Sequence, residues 1–530
     1  MNVDGKQIIN GVSATTGTEF FYAVERVKGN RLDTRFFNAS KADIDMAVTV
    51  AQQAFEVTRR KSGLEKALFL EAIASELEKA GPQIVEMACL ETALPTARIE
   101  GELLRTVNQA RLFAKLVRDG NWVEAKIDTG DPDRKPAPRP DIRSMQRPVG
   151  PIAVFGASNF PLAFSAAGGD TVSAIAAGCP VIFKAHPGHP ATSEIVTRAI
   201  LAAAYATGMP AAYFSLLQGD KAEVGIALTN SVGIKAIAFT GSNRVGRLIF
   251  NAAAARPEPI PVFAEMGSSN PVFLLPQAMA ERYEAIAAAY TNALTLGVGQ
   301  FCTNPGMLIH ESTGAQERFY ENLINNINAA QGGVMLTDAI AHAYAKGVAG
   351  RHANEALELL AQGELPQDEQ LQVPALFKTN LNTFLEQPQL EEELFGPSAI
   401  VVAARSKAEM INFAEGLSGH LTATVHGTED ELILYKPLLE ILETKVGRLI
   451  INGYPTGVEV VEPMVHGGPY PATSDARTTS VGTGAIYRFT RPVCYQGMPQ
   501  ALLPDELKDG NPLGIWRSIN GQFENTSISK

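Results

Sequence analysis

The chain is predicted to be an α/β protein built on doubly wound parallel sheets. The first observation behind this is a series of short, near-continuous apolar segments at residues 151–156, 180–184 and 234–239. The second is the helical texture between them, at residues 168–177 and 193–206. Strands buried on both faces read as apolar runs, not as alternations, and parallel neighbours need a helical crossover. A second alternating series follows Cys302 and includes residues 399–403 and 448–452.

The elements follow in order. Residues 42–104 read as helical, with Ala, Glu and Leu at 3.6-residue spacing and Gly81-Pro82 as punctuation. Residues 120–140 are polar, including Gly130-Asp131-Pro132-Asp133-Arg134-Lys135-Pro136, and read as a surface excursion at a domain boundary. The first two strand–helix units come next. The strand at 234–239 ends in Thr240-Gly241-Ser242, and an apolar helical run at 285–296 leads into Gly299-Gln300-Phe301-Cys302-Thr303-Asn304-Pro305-Gly306. The last ~60 residues are rich in Gly, Pro and Thr, which suits an extended or interface-forming tail. No internal repeat or low-complexity tract interrupts the series.

The bulk numbers bound the function. At 530 residues there is chain for about three to four domains. A hydrophobic content of 45% and a mean hydropathy of zero describe an ordinary globular protein. The net charge of −11 argues against a nucleic-acid partner. No apolar run approaches the ~20 residues of a membrane helix, and Met1 to Lys6 lack a charged-then-apolar signal pattern. Cys89, Cys179, Cys302 and Cys494 form no CxxC pair. A disulfide framework or a metal site is therefore not expected, and a reducing cytoplasm is. Cys89, Cys179 and Cys494 are expected to be small buried hydrophobes.

Cys302 differs from them in context. Its Gly-rich, turn-like setting can carry a thiol to a cleft, where a thiolate adds to a carbonyl. Asn159 follows the first strand, where parallel sheets place ligand-binding groups, and its amide can donate to an oxyanion. A turn asparagine is the plainer alternative. Glu265 ends the apolar segment Pro261-Val262-Phe263-Ala264. Partly desolvated there, it is expected to have a raised pKa and to act as a general base. The alternative is a structural glutamate beside Gly267.

Thr240-Gly241-Ser242-Asn243-Arg244-Val245-Gly246 closes a strand and opens a helix, with Ser242 as N-cap. Such a helix start suits pyrophosphate, although many strand–helix turns look like this. Lys184, at the end of the second strand, can reach ribose hydroxyls or can be a solvated lysine. Glu393 in Glu393-Leu394-Phe395-Gly396-Pro397 can grip a ribose, with Phe395 beside it; otherwise Glu391 to Glu393 is a solvated acidic run.

Together these segments resemble the NAD(P)-dependent aldehyde dehydrogenase family, in its order and near its spacing, from about residue 30 to about residue 490. The resemblance implies a Rossmann-type cofactor domain (1–128 and 150–266), an α/β catalytic domain (267–465) and a small β oligomerisation arm with its tail (129–149 and 466–530). It implies Cys302 as nucleophile, Glu265 as base and Asn159 as oxyanion donor. It assigns Ser158, Lys184, Gly241, Ser242, Gly246, Glu393 and Phe395 to an NADP or NAD cofactor, and it implies a homodimer or homotetramer acting on a small-molecule aldehyde.

Within the family, three segments resemble members that oxidise 2-oxoglutarate semialdehyde: Phe155-Gly156-Ala157-Ser158-Asn159, Phe183-Lys184-Ala185-His186-Pro187 and Glu265-Met266-Gly267-Ser268-Ser269-Asn270-Pro271. The tail His466-Gly467-Gly468-Pro469-Tyr470-Pro471-Ala472-Thr473-Ser474-Asp475 does so too. The same group includes NADP-linked fatty aldehyde dehydrogenases. Many NAD-preferring members carry a glutamate three residues after the strand-end lysine. Pro187 stands there, so NADP is expected to be accepted, with His186 and His189 as possible helpers. A distal substrate carboxylate needs a cation. No arginine follows Asn159 within residues 160–165, so Arg105 is the candidate, with Phe160 also lining the substrate site. The alternative for Arg105 is an ion pair with Glu102, three residues back on the same helix. Acyl transfer to CoA is the competing chemistry, which a hydrolytic base at Glu265 opposes; a catalytically dead homologue is the non-enzymatic one.

Overall fold

The computed structural model describes residues 3–314, 316–364 and 371–528. Among these residues, the strands assemble into two seven-stranded sheets, one five-stranded sheet and two two-stranded pairs. The first sheet contains five parallel strands: Ile152–Phe155, Val181–Lys184, Phe214–Leu217, Ala236–Thr240 and Val262–Glu265. In space their order is fifth, fourth, first, second, third, and Gln7–Ile9 and Val12–Ala14 extend the far edge antiparallel. The first strand is buried at every position, as is the helix Gly169–Ala177 that follows it, which explains the unbroken apolar texture of both. Phe214–Leu217 is not singled out by the sequence, because Phe-Ser-Leu-Leu is too short to carry a period.

The second sheet is also parallel apart from its edge strand Glu358–Gln362. Its order runs Glu358–Gln362, Ala375–Asn380, Ser398–Ala404, Met307–Glu311, Val272–Leu274, His420–His426, Val446–Ile451. The predicted strands at 399–403 and 448–452 are both in it.

The predicted helical region 42–104 resolves into Lys41–Thr58, Gly63–Lys79, Gly81–Thr92 and Thr96–Asp119. Gly81-Pro82 opens a helix instead of interrupting one. Proline in the first turn lacks only an N–H that would be unpaired there anyway. The excursion at 120–140 carries the strand Lys126–Asp128. This strand joins Ile142–Pro148, Thr490–Gln496, Arg517–Ile519 and Gln522–Glu524 in the five-stranded sheet, so the end of the chain folds back onto its own residues 126–148.

Cys179 is buried as expected, while Cys89 is half-buried and Cys494 is exposed. The exposure of Cys494 corrects the expectation. On Thr490–Gln496 the pleat turns Val493 and Tyr495 inward and Cys494 out. No helix among the described residues is long and apolar enough to cross a membrane.

One long-range pairing positions the site. Residues 472–474 run beside the edge strand Val262–Glu265: Met266 N–H donates to Ala472 O at 2.7 Å, and Glu265 bridges Thr473. That pairing delivers His466 and Ser480 to the carboxylate of Glu265.

Candidate active site

In a doubly wound sheet, ligands bind outside the carboxyl ends of the strands where the strand order reverses. Here that point lies between Ile152–Phe155 and Ala236–Thr240. Ser158 and Asn159 follow the first of these strands, and Gly241 and Ser242 follow the second. Glu265 ends the next strand outward.

Cys302 approaches from the second sheet's side. The helix Pro276–Thr295 ends, and Gly297, Val298 and Gly299 take left-handed conformations (φ 55, 57 and 66°). Gly299 has no substitute, because a Cβ there would lie 2.3 Å from the Gly396 carbonyl carbon. The Asn270 amide pins the turn by donating to Cys302 O (2.8 Å) and Asn304 O (2.9 Å).

At the centre, Cys302 Sγ, a Glu265 carboxylate oxygen and His466 Nε2 lie within 4.8 Å of one another. His466 Nε2 is 2.9 Å from Glu265 Oε1 and 3.5 Å from Cys302 Sγ. Ser480 Oγ donates to Glu265 Oε2 at 2.7 Å. Burial pushes the Glu265 carboxyl up. Donation from His466, Ser480 and Cys302, with the charge interaction of His466, outweighs this and holds Glu265 below the usual carboxylate range. The expectation of a raised Glu265 pKa is therefore corrected. The thiol of Cys302 is pushed well up instead, first by burial and then by the negative charge of Glu265, while Arg105 opposes the rise. The sequence reading missed His466 and Ser480. The only signal was a histidine beside two glycines, and its partner lies 201 positions away.

Asn159 is buried, and its amide donates to Gln300 O at 3.0 Å, two residues before Cys302. Phe160 packs edge-on against Phe164 (5.3 Å) and Phe301 (5.5 Å). Val458, Val460 and Met464 pack against the same cluster, which makes an apolar wall. Arg105 does not pair with Glu102. Glu102 Oε2 instead accepts from Arg98 Nη1 (2.7 Å), while Oε1 takes the N–H groups of Leu162 (2.8 Å) and Ala163 (2.9 Å). The Arg105 guanidinium lies against Phe164 (5.2 Å) and Phe160 (5.6 Å), and its buried Nε has no hydrogen-bond partner.

On the other side of the crevice, Ser242 caps the helix Asn243–Ala254, accepting from Val245 N–H at 3.4 Å. Gly241 N–H donates to Glu265 O (3.1 Å), and Gly246 is buried in the first turn of that helix. Ser158 is half-buried beside Asn159. Lys184 Nζ donates to Ala185 O (2.9 Å) and Gly219 O, and burial pulls its pKa down to about 8. The carboxylate of Glu393 lies against Gly267, where a Cβ would sit 2.4 Å from its Oε2. Burial raises Glu393 to about 8. Phe395 is half-buried. His186 and His189 stack at 5.4 Å, and burial lowers both below the normal imidazole range, His189 to about 4. Burial thus disfavours the charged form of both rings. A capped helix at the strand-order reversal, a lysine at the end of the neighbouring strand and a carboxyl against Gly267 beyond the edge strand fit a dinucleotide along the carboxyl ends of the first sheet.

Comparisons with known proteins agree with this arrangement. Residues 15–470 match the model of the aldehyde dehydrogenase family. The chain is 46% identical over 525 residues to alpha-ketoglutaric semialdehyde dehydrogenase 2 of Azospirillum brasilense, covering 99% of this chain and 100% of that one. It is 44% identical over 519 residues to the alpha-ketoglutaric semialdehyde dehydrogenase of Acinetobacter baylyi, covering 98% of each. Among solved structures, betaine aldehyde dehydrogenase of Staphylococcus aureus in complex with NAD+ superimposes with a TM-score of 0.80 at 18% identity, over 94% of this chain and 96% of that one. The aldehyde dehydrogenase KauB of Pseudomonas aeruginosa gives 0.79 at 21% identity, over 94% and 97%. These two likenesses concern the fold. The chain belongs to the aldehyde dehydrogenase family, and is an oxidoreductase that acts on an aldehyde with a nicotinamide cofactor.

Proposed function

We propose that this enzyme oxidises 2-oxoglutarate semialdehyde (2,5-dioxopentanoate) to 2-oxoglutarate, with Cys302 as nucleophile, Glu265 as base and Asn159 as oxyanion donor. The observation that carries the substrate assignment is Arg105, a guanidinium without a carboxylate partner among the described residues, set in the aromatic wall beside Cys302. The two full-length relatives named for this substrate support it.

Cys302 Sγ adds to the aldehyde carbon, and its proton leaves to Glu265 or to water. The oxyanion is held by Asn159 Nδ2, whose amide has a second N–H beyond the one given to Gln300, and by the backbone N–H of Cys302. One such donor contributes about 3 kcal/mol in the transition state. A bound nicotinamide supplies the hydride acceptor. Loss of hydride from the thiohemiacetal leaves a thioester on Sγ. Glu265, kept ionised by His466 and Ser480, then takes a proton from the water that attacks the thioester. Collapse releases the acid and the Cys302 thiolate.

The cofactor is held by Ser158, Lys184, Gly241, Ser242, Gly246, Glu393 and Phe395. Pro187 offers no carboxylate to repel a 2′-phosphate, so NADP is preferred, with NAD accepted. Residues 1–128 and 150–266 form the cofactor domain, 267–465 the catalytic domain, and 129–149 with 466–530 the arm of a homodimer or homotetramer in the reducing cytoplasm. Incubation with the semialdehyde and NADP+ is expected to yield 2-oxoglutarate and NADPH in equal amounts, without CoA. A requirement for CoA, or no acid formed, contradicts this. A second reading, oxidation of medium- or long-chain aliphatic aldehydes, is favoured by the apolar wall of Phe164, Val458, Val460 and Met464.

A further inference from the structure

We propose that Arg98 and Arg105 together read the 2-oxo acid end of the substrate, Arg105 taking the carboxylate and Arg98 the 2-oxo oxygen. The inference rests on the substrate reading above and adds a second arginine and a reason for selectivity.

Both residues lie on the helix Thr96–Asp119, seven positions apart and so two turns along one face. Their guanidiniums converge on one ring, that of Phe160, at 4.6 Å for Arg98 and 5.6 Å for Arg105. Arg98 also lies 5.5 Å from the ring of Phe301, the residue before Cys302. Phe160 directly follows Asn159. The pair thus sits between the two segments that carry the reacting groups.

The donors in this corner outnumber their bonded partners. Glu102 is the one carboxylate among the described residues that bonds to either arginine, and it is already in use. One oxygen accepts from Arg98 Nη1 and the other holds the turn at Leu162 and Ala163. Glu265 and Cys302 reach Arg105 only through space, so the two cations share one bonded carboxylate against aromatic walls. Arg105 Nε is buried without a partner, and Arg98 Nε and Nη2 make no hydrogen bond to a described residue. The buried Nε of Arg105 is costly unless an anion completes that guanidinium, while the free donors of Arg98 stay open to an incoming ligand.

The form of that anion follows from the donors. A guanidinium presents a planar fork that suits a carboxylate in two-point contact. A second fork beside it has nothing to bind in a simple ω-carboxylate. A 2-oxo acid offers a carbonyl oxygen next to the carboxylate, so it occupies both forks. A site built around such an acceptor discriminates against the analogue that lacks it, because a polar group is left unpaired.

The test compares kcat/KM for 2-oxoglutarate semialdehyde, 5-oxopentanoate (same length, no 2-oxo group) and pentanal, in wild type, Arg98→Gln, Arg98→Lys and Arg105→Gln. In Arg98→Gln the ratio of the first substrate to the second is expected to fall about 10-fold or more, the worth of one charge-assisted hydrogen bond. Arg98→Lys is expected to fall between Arg98→Gln and wild type. In Arg105→Gln the ratio of 5-oxopentanoate to pentanal is expected to collapse. A wild type that prefers the semialdehyde, with that ratio unmoved by Arg98→Gln, overturns this inference alone. A wild type that prefers both acids to pentanal but not the semialdehyde to 5-oxopentanoate also overturns this inference alone, and one that prefers pentanal overturns the substrate reading as well.

Discussion

His466 donates its Nε2–H to Glu265 Oε1 across 2.9 Å, joining the tail to the end of the fifth strand of the first sheet. A carboxylate can only accept, so that nitrogen carries the proton. The same nitrogen faces Cys302 Sγ at 3.5 Å and has no lone pair left to receive the thiol proton. His466 is therefore a positioning residue for Glu265 and a donor toward a thiolate, and Glu265 is left as the base.

Replacing His466 with leucine removes one of the donors that lower the Glu265 pKa. The carboxyl should rise, so activity is lost as pH falls through the raised value, and a new acidic limb appears in the kcat profile. The loss at neutral pH is expected to be about 10- to 100-fold, the worth of a hydrogen bond to a charged group. A uniform loss with no new limb contradicts the assignment.

Glu265→Gln acts on the thiol in the opposite sense to its effect on turnover. The negative charge of Glu265 raises the Cys302 pKa, so removing it should lower that pKa. Alkylation by iodoacetamide should then begin at lower pH than in wild type, while steady-state turnover collapses because the water lacks its base. An alkylation profile shifted to higher pH would show that Glu265 activates the thiol at equilibrium.

Gly267→Ala places a Cβ where the Glu393 carboxylate now lies. Glu393 must move, and a cofactor gripped by it should bind about 10-fold more weakly, a loss of about 1.4 kcal/mol. Fluorescence titration with NADPH measures this, and unchanged binding removes Glu393 from the cofactor site.

Pro187→Glu restores a carboxylate beside the adenosine ribose site proposed at Lys184. The ratio of kcat/KM for NADP+ to that for NAD+ should fall at least 10-fold through like-charge repulsion of a 2′-phosphate. An unchanged ratio means that Pro187 does not face the ribose.

Much of this was legible in the sequence because strand ends announce themselves. Glu265 and Lys184 end apolar runs, Asn159 and Gly241 follow shortly after others, and the reversal of strand order gathers them. Cys302 was legible because Gly299 must accept a left-handed turn. Contacts between distant segments were not. His466 meets Glu265 across 201 positions, and only the pairing of residues 472–474 with the strand at Val262–Glu265 brings it there. The sign of the Glu265 shift was not legible, because burial alone raises a carboxyl and the donors that reverse it include His466 and Ser480 from the tail. The Arg105–Glu102 pairing failed on a local competition: Arg98, at four-residue spacing, and the backbone N–H groups of Leu162 and Ala163 take both oxygens of Glu102.

The most direct test of the central claim is initial-rate kinetics of the wild-type enzyme with 2-oxoglutarate semialdehyde and with a medium-chain aliphatic aldehyde, each with NADP+ and NAD+. The account predicts a kcat/KM at least about 100-fold higher for the semialdehyde, the scale of one bidentate ion-paired contact. An equal or higher value for the aliphatic aldehyde would contradict it and leave the apolar wall as the determinant of substrate.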